Sequence, residues 1–231
     1  MELSNRLKEI AGMVTKGNVV CDVGTDHAYL AIYLAENRIS PHVIAMDVAK
    51  GPLSKAEHNI SAHGLCDVVE TRLSDGVDKL REGEAQTVIM AGMGGILICQ
   101  LLSKGEKVLA SVKELILSPH TDAELVRRYL SQHGYHISQE KMLVEEGKYY
   151  IMLRCVQGET EQMSVCEYRY GKILLERKEP VLGMYLQKEY QKLKTLYENL
   201  GGVSTEHAVM RRKALMEEIE CVKEGLRYYG M

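Results

Sequence analysis

Apolar residues in the first two thirds of the chain fall into short runs separated by helical spacings, and this alternation organises the reading of the whole. Leu3, Leu7, Ile10 and Val14 recur at intervals of four, three and four, the pattern of a short amphipathic helix that Lys16-Gly17-Asn18 ends. Val19 to Val23 predicts a first strand, and a helix from about Ala28 to Asn37 carries Leu30, Tyr33 and Leu34 on one face. A second run, Val43 to Met46, leads into Gly51-Pro52 and a helical stretch to Gly64. Val68 to Leu73, Thr87 to Met90 and Leu115 to Leu117 predict three more strands, with helices over Ile96 to Leu102 and about Asp122 to His133. Tyr135 to Leu143 and Tyr149 to Val156 read as a hairpin turning at Val144-Glu145-Glu146-Gly147-Lys148. Five parallel strands with helices between them, closed by an antiparallel pair, predict an α/β fold on one seven-stranded sheet.

From Glu161 onward the spacing becomes that of long helices. Leu186, Tyr190, Leu193, Tyr197 and Leu200 form one stripe, and Leu215, Ile219, Val222, Leu226 and Tyr229 form another. Gly201-Gly202 lies between them, so an antiparallel helical hairpin of coiled-coil type is expected, its second helix capped by Ser204 or Thr205. Gly171 and Pro180 bend the chain before it begins. Two domains are therefore expected, residues 1–159 and residues 160–231.

Charge adds a contrast between them. The net charge is −3, with 17 basic against 21 acidic residues before Thr160 and 12 against 11 from it onward. Between Arg169 and Lys194 there are seven basic residues against three acidic ones, and Arg211-Arg212-Lys213 lies on the returning helix, a surface suited to a phosphate backbone or simply a solvated helix face. Six scattered cysteines without a C-x-x-C pair argue against zinc and favour small buried hydrophobes in a reduced, cytoplasmic setting. No metal site is expected. No run approaches the roughly 18 apolar residues that cross a membrane. With no Phe or Trp, 13 tyrosines supply all the aromatic surface.

The chemistry gathers at strand ends. Asn18 to Ala28 reads Asn-Val-Val-Cys-Asp-Val-Gly-Thr-Asp-His-Ala, a strand that turns into a helix at Gly24, where the amides are expected to face a ligand. A dinucleotide site needs G-x-G-x-x-G; a single glycine disfavours pyrophosphate. Asp47, 23 residues after Gly24, ends the second strand, where nucleotide-binding α/β folds place an acid against ribose hydroxyls. Asp75, followed by Gly76, ends the third and is assigned to an adenine amino group. After the fourth strand, Ala91-Gly92-Met93-Gly94-Gly95 allows close backbone approach where an acceptor must meet a donor.

Asp22-Val23-Gly24-Thr25-Asp26-His27-Ala28-Tyr29-Leu30, Gly51-Pro52, Asp75-Gly76, Ala91-Gly92-Met93-Gly94-Gly95 and Glu146-Gly147-Lys148-Tyr149-Tyr150 together resemble the bacterial tRNA (adenine(22)-N1)-methyltransferase family along the whole chain. The resemblance implies the Rossmann-like seven-stranded methyltransferase sheet, S-adenosyl-L-methionine as cofactor and tRNA as partner. A cofactor pocket of Asp22, Gly24, Thr25, Asp26, His27, Asp47, Val48, Asp75, Gly76, Ala91, Gly92 and Met93 is expected. Asp26 is the first candidate for contacting N6 of the target adenine, followed by His27 and His120, with Tyr29 stacking on the base. Asp26 capping the helix, and His27 only completing the cofactor pocket, are the plainer alternatives. The chain departs from the family at Ser118-Pro119-His120, in place of Gln-Pro-Asn, and at Asp47, in place of glutamate. A small-molecule methyltransferase and a catalytically silent tRNA-binding module are the rival readings.

Overall fold

The computed structural model of the protein describes residues 3–160, 162–201 and 205–231. They form two compact units, Met1–Glu161 and Gln162–Met231. Gly202, Ser204 and Glu161, named above for the hairpin turn, the cap and the start of the helical region, lie outside the described residues.

The first unit opens with α1 (Asn5–Met13), whose first turn is capped by the Ser4 hydroxyl accepting the Leu7 amide at 3.3 Å. There follow β1 (Val20–Val23), α2 (Tyr29–Glu36), β2 (Val43–Asp47), α3 (Lys50–Ala62), β3 (Val69–Leu73), β4 (Thr87–Gly94), α4 (Gly95–Lys104), α5 (Glu106–Leu109), β5 (Glu114–Thr121), α6 (Ala123–Gln132), β6 (Tyr135–Glu145) and β7 (Lys148–Gln157). The strands form one sheet in the order β3-β2-β1-β4-β5-β7-β6. The first five are parallel, and β7 enters antiparallel between β5 and β6.

Every residue of β1 is buried, because apolar layers cover both faces of the sheet. The pleat sends Val20 into the layer with Ile10, Ile32 and Ile60, and Cys21 into the layer with Ile98, Leu102 and Val126. Strand order reverses between β1 and β4, the point at which open α/β sheets form a crevice at the C-terminal strand ends. The site follows from this topology.

Two strands run further than their apolar cores suggested. β4 continues to Gly94 through register shifts against β5 between Ala91 and Gly94, and β5 continues through Ser118-Pro119-His120 to Thr121. The expected glycine turn is therefore a bulged strand end, a place where Pro119, which has no ladder donor, is tolerated. The β6–β7 hairpin turns on Glu146 (φ 51°) and Gly147 (φ 75°), both left-handed as a primed two-residue turn requires. Its tip is tied to α1: Glu145 accepts the Asn5 amide at 2.7 Å, and Lys141 pairs with Glu9 at 2.5 Å.

The second unit comprises α7 (Val165–Tyr170), α8 (Lys172–Glu176), α9 (Pro180–Asn199) and α10 (Glu206–Tyr228). A capping box of Ser164 and Glu167 starts α7, and Thr205 caps α10 through the Ala208 amide. α9 and α10 pack antiparallel, with the Tyr229 hydroxyl donating to the Glu179 carbonyl at 2.8 Å. Leu186, Leu193, Leu215, Val222 and Leu226 of the two stripes are buried. Gly183 against Tyr229 and Gly225 against Leu186 bring the helices close at small residues outside the stripes.

Candidate active site

Gly24 takes φ 75°, and a Cβ there would collide with the Met93 methyl group, so the ends of β1 and β4 meet at this glycine. The turn offers a ligand space, but its first two amides are taken: the Gly24 and Thr25 amides both donate to the Met46 carbonyl, at 2.8 and 2.9 Å. This corrects the expectation that those amides face the ligand, since β2 already satisfies them. Asp22 is buried beneath the turn and accepts the Thr25 hydroxyl at 2.8 Å. Burial pushes its acid up to about 6, against the opposing effect of that hydrogen bond, and Asp47 and Asp26 add to the rise.

The helix after the turn begins later than its pattern predicted. His27 (φ 57°) and Ala28 (φ 59°) are both left-handed, and α2 starts at Tyr29 with Ala28 as an N-cap that provides no side-chain hydrogen bond. Asp26 therefore does not cap the helix. Its carboxylate is 85% exposed and lies 3.3 Å from Nε2 of His27, whose ring stacks on Tyr29 at 5.4 Å between centroids. Two consecutive non-glycine residues in this conformation cost on the order of 1–2 kcal/mol each, and such strain collects at functional sites. Asn59 of α3 holds the bend by donating its side-chain amide to the His27 carbonyl at 3.0 Å. Nothing in the sequence marked Asn59, which lies 32 residues downstream.

At the next strand end, Oδ1 of Asp47 accepts the Ala49 amide at 2.8 Å, and Val48 beside it is 69% exposed. The Ser74 amide donates to the Asp47 carbonyl, which joins the ends of β2 and β3. Asp75 is exposed, with Oδ2 2.8 Å from Lys104, a lysine that also holds Asp78. Gly76 (φ 58°) passes close beneath Leu101.

The glycines of β4 divide by cause. Cβ atoms at Gly94 and Gly95 would meet Thr121 Oγ1 at 3.3 Å and the Asp122 carbonyl at 2.6 Å, so packing of β4 and α4 against the end of β5 accounts for both. Only Gly92 (φ 84°) opens toward polar groups: a Cβ there would lie 3.9 Å from the His120 ring and 4.0 Å from Arg6 Nη1. Ala91 pairs with Ser118, whose hydroxyl is fully buried and has no partner among the described residues. His120 stands edge-on to Tyr150 at 5.7 Å. Partial burial, then the cations Arg6 and Lys148, hold its imidazole below the usual range. The sequence singled out Lys148 and Tyr150 in the hairpin turn, but not their meeting with Arg6, because roughly 140 residues separate α1 from the hairpin.

In the helical unit several of the basic residues are paired and several are not. Arg169 meets Glu189 and Glu218, Arg211 meets Glu218, and Arg212 lies over the Tyr197 ring at 4.8 Å. Lys188, Lys192 and Lys213 are exposed and form no ion pair among the described residues. Cys21, Cys155 and Cys166 are buried as expected, whereas Cys66 is exposed. No group of three or more His, Cys, Asp or Glu among the described residues is arranged to hold a metal ion. No helix among them is long and apolar enough to cross a membrane.

Residues 3–153 match the family described as a methyltransferase domain. The Bacillus subtilis tRNA (adenine(22)-N(1))-methyltransferase is 31% identical over 230 residues, 97% of each chain. The structure is similar to that of the B. subtilis M1A22 tRNA methyltransferase TrmK, with a TM-score of 0.90 at 30% identity, covering 97% of this chain and 99% of that one. It is also similar to Streptococcus pneumoniae Sp1610 in complex with S-adenosyl-L-methionine, with a TM-score of 0.87 at 35% identity, covering 97% and 100% of the two chains. With a sheet that reverses order at a single-glycine turn and full-length similarity to these proteins, the chain belongs to the tRNA (adenine(22)-N1)-methyltransferase family.

Proposed function

We propose that this protein methylates N1 of adenine 22 in tRNA, using S-adenosyl-L-methionine, and that Asp26 is the residue that acts on the base. The observation that carries the assignment to Asp26 is its carboxylate, exposed beside the Gly24 turn and released from helix capping by the left-handed bend at His27 and Ala28. The residues present suit the cofactor. Gly24 leaves open a volume that a Cβ would fill, Val48 offers apolar surface for a purine, and Oδ2 of Asp47 has no hydrogen bond among the described residues, so it can accept from a ribose diol.

When bound, S-adenosyl-L-methionine supplies a sulfonium methyl group to the in-plane lone pair of N1, leaving S-adenosylhomocysteine. No strong base is required, because the methylated ring remains a cation until a proton leaves N6. Asp26 accepts a hydrogen bond from N6 and stabilises the positive charge that develops on the ring. Tyr29, fixed against His27, provides the face on which an extruded adenine stacks. His120, whose imidazole its surroundings hold below the usual range, adds a donor or an acceptor. Asp75, anchored by Lys104, accepts from the cofactor's adenine amino group. Positioning supplies most of the rate.

Lys188, Lys192 and Lys213 of the helical unit are the residues there best suited to tRNA phosphates. A monomer is the favoured state, and a tRNA substrate argues for the cytoplasm. Incubation with labelled S-adenosyl-L-methionine and unmodified total tRNA, followed by nucleoside mapping, is expected to yield 1-methyladenosine at position 22. Label on N6, or none in tRNA, would overturn the assignment.

A further inference from the structure

The Glu146-Gly147-Lys148-Tyr149-Tyr150 turn has no role in the chemistry above, yet the fold brings it to the edge of the site. Tyr150 contacts His120 edge-on at 5.7 Å, and the Arg6 guanidinium lies over the Tyr150 ring at 5.3 Å. Gly92, at the end of β4, lies close to both His120 and Arg6. Arg6, Tyr150 and Glu146 line one cleft together with the start of α1. Nη1 of Arg6 is buried and has no hydrogen-bond partner among the described residues. A guanidinium carries its donors in a planar fork, the arrangement that suits the paired oxygens of a phosphate.

We propose that Arg6, braced on Tyr150 and assisted by Lys148, binds the backbone phosphodiester beside the target nucleotide of the RNA. The inference rests on the tRNA reading above and deepens it by assigning a phosphate subsite next to His120. Among the described residues, Arg6 and Lys148 are the charged groups that act appreciably on His120, and both are cations. Of the carboxylates nearby, Glu145 is engaged by the Asn5 amide and Glu9 by Lys141; Glu146 occupies the left-handed turn position. A base would find in this corner one ring already covered by the guanidinium. A phosphate would meet two cations there, Arg6 and Lys148. Arg6 thus contributes affinity for the RNA by holding the strand beside the extruded adenine.

The test uses the full-length protein with unmodified tRNA, measuring methyl transfer, tRNA binding against salt concentration and S-adenosyl-L-methionine binding by calorimetry. Arg6→Gln is expected to raise KM for tRNA about tenfold with kcat within about twofold, the signature of lost uniform binding. The slope of log affinity against log salt should fall by about one, because a single phosphate contact is removed. Arg6→Lys should restore that slope, and Lys148→Gln, a change at an exposed turn residue, should lower it by a similar amount. Cofactor affinity should not move in any variant. A salt slope unchanged in both Arg6→Gln and Lys148→Gln would overturn the proposal, and if Arg6→Gln does not fold, Lys148→Gln decides alone. Failure of the wild-type protein to methylate tRNA would instead remove the reading beneath it.

Discussion

The rim where β1, β2 and β4 end and the helical unit both gather charged side chains, and they differ in how far neighbours neutralise them. At the rim, Asp26 is exposed and does not serve the helix behind it, Asp47 keeps one oxygen without a hydrogen bond among the described residues, and Asp22 is buried with the Thr25 hydroxyl as its partner. In the helical unit, Arg169, Arg211, Lys194 and Lys223 each meet a glutamate. Charge neutralised within a unit serves that unit's packing. Charge left uncompensated holds its field for a ligand, at some expense to stability.

The largest expected effect tests the buried end of that contrast. The Asp22 acid titrates near 6 in the folded protein, against 3.8 for an ordinary aspartic acid side chain, so its protonated form is favoured by folding. Stability from this group is fully present below about pH 4 and lost as pH rises through 6, a change of about 3 kcal/mol at roughly 1.4 kcal/mol per unit. The difference in unfolding free energy between ligand-free Asp22→Asn and wild type should therefore grow over that window; a flat difference would mean the carboxylate is not held at a cost. Asp47→Ala should weaken S-adenosyl-L-methionine binding by on the order of thirtyfold, about 2 kcal/mol, with little change in melting temperature. Destabilisation without loss of cofactor affinity would place Asp47 with the structural charges.

Arg169 tests the opposite class. Arg169→Gln should destabilise the protein by on the order of 1 kcal/mol, since its pairs are partly solvated, and leave the salt dependence of tRNA binding unchanged. Lys188→Gln combined with Lys192→Gln should do the reverse, lowering the salt slope by about one per residue at constant melting temperature. If Arg169 moves the slope and the lysines do not, the paired and uncompensated residues have been assigned the wrong way round.

Much of this was legible in the chain. The apolar runs located β1, β2, β4 and β5 because a parallel sheet covered on both faces demands continuous hydrophobic segments. Asp47 and Gly24 were legible as a strand-end acid and a left-handed turn. The glycines after Met90 were over-read: Gly94 and Gly95 answer to Thr121 and the Asp122 backbone, a tertiary contact that leaves the same trace as a ligand. The left-handed pair at His27 and Ala28 carries little local signal, since Ala28 does not favour that conformation and Asn59 holds it from another helix. The corner of Arg6, His120 and Tyr150 could not be read either, because nothing local links α1 to a hairpin at the far end of the sheet. Counting basic residues in the helical unit likewise overstated its free charge, since Arg169 finds its glutamates on other helices and Arg211 finds Glu218 two turns along its own.

Asp26 bears the central claim most directly. Single-turnover methyl transfer by Asp26→Asn, at saturating S-adenosyl-L-methionine and tRNA, is expected to slow by about 10²-fold while cofactor affinity stays within about twofold. A wild-type rate in this variant would contradict the claim that the carboxylate freed by the bend in the chain acts on the base.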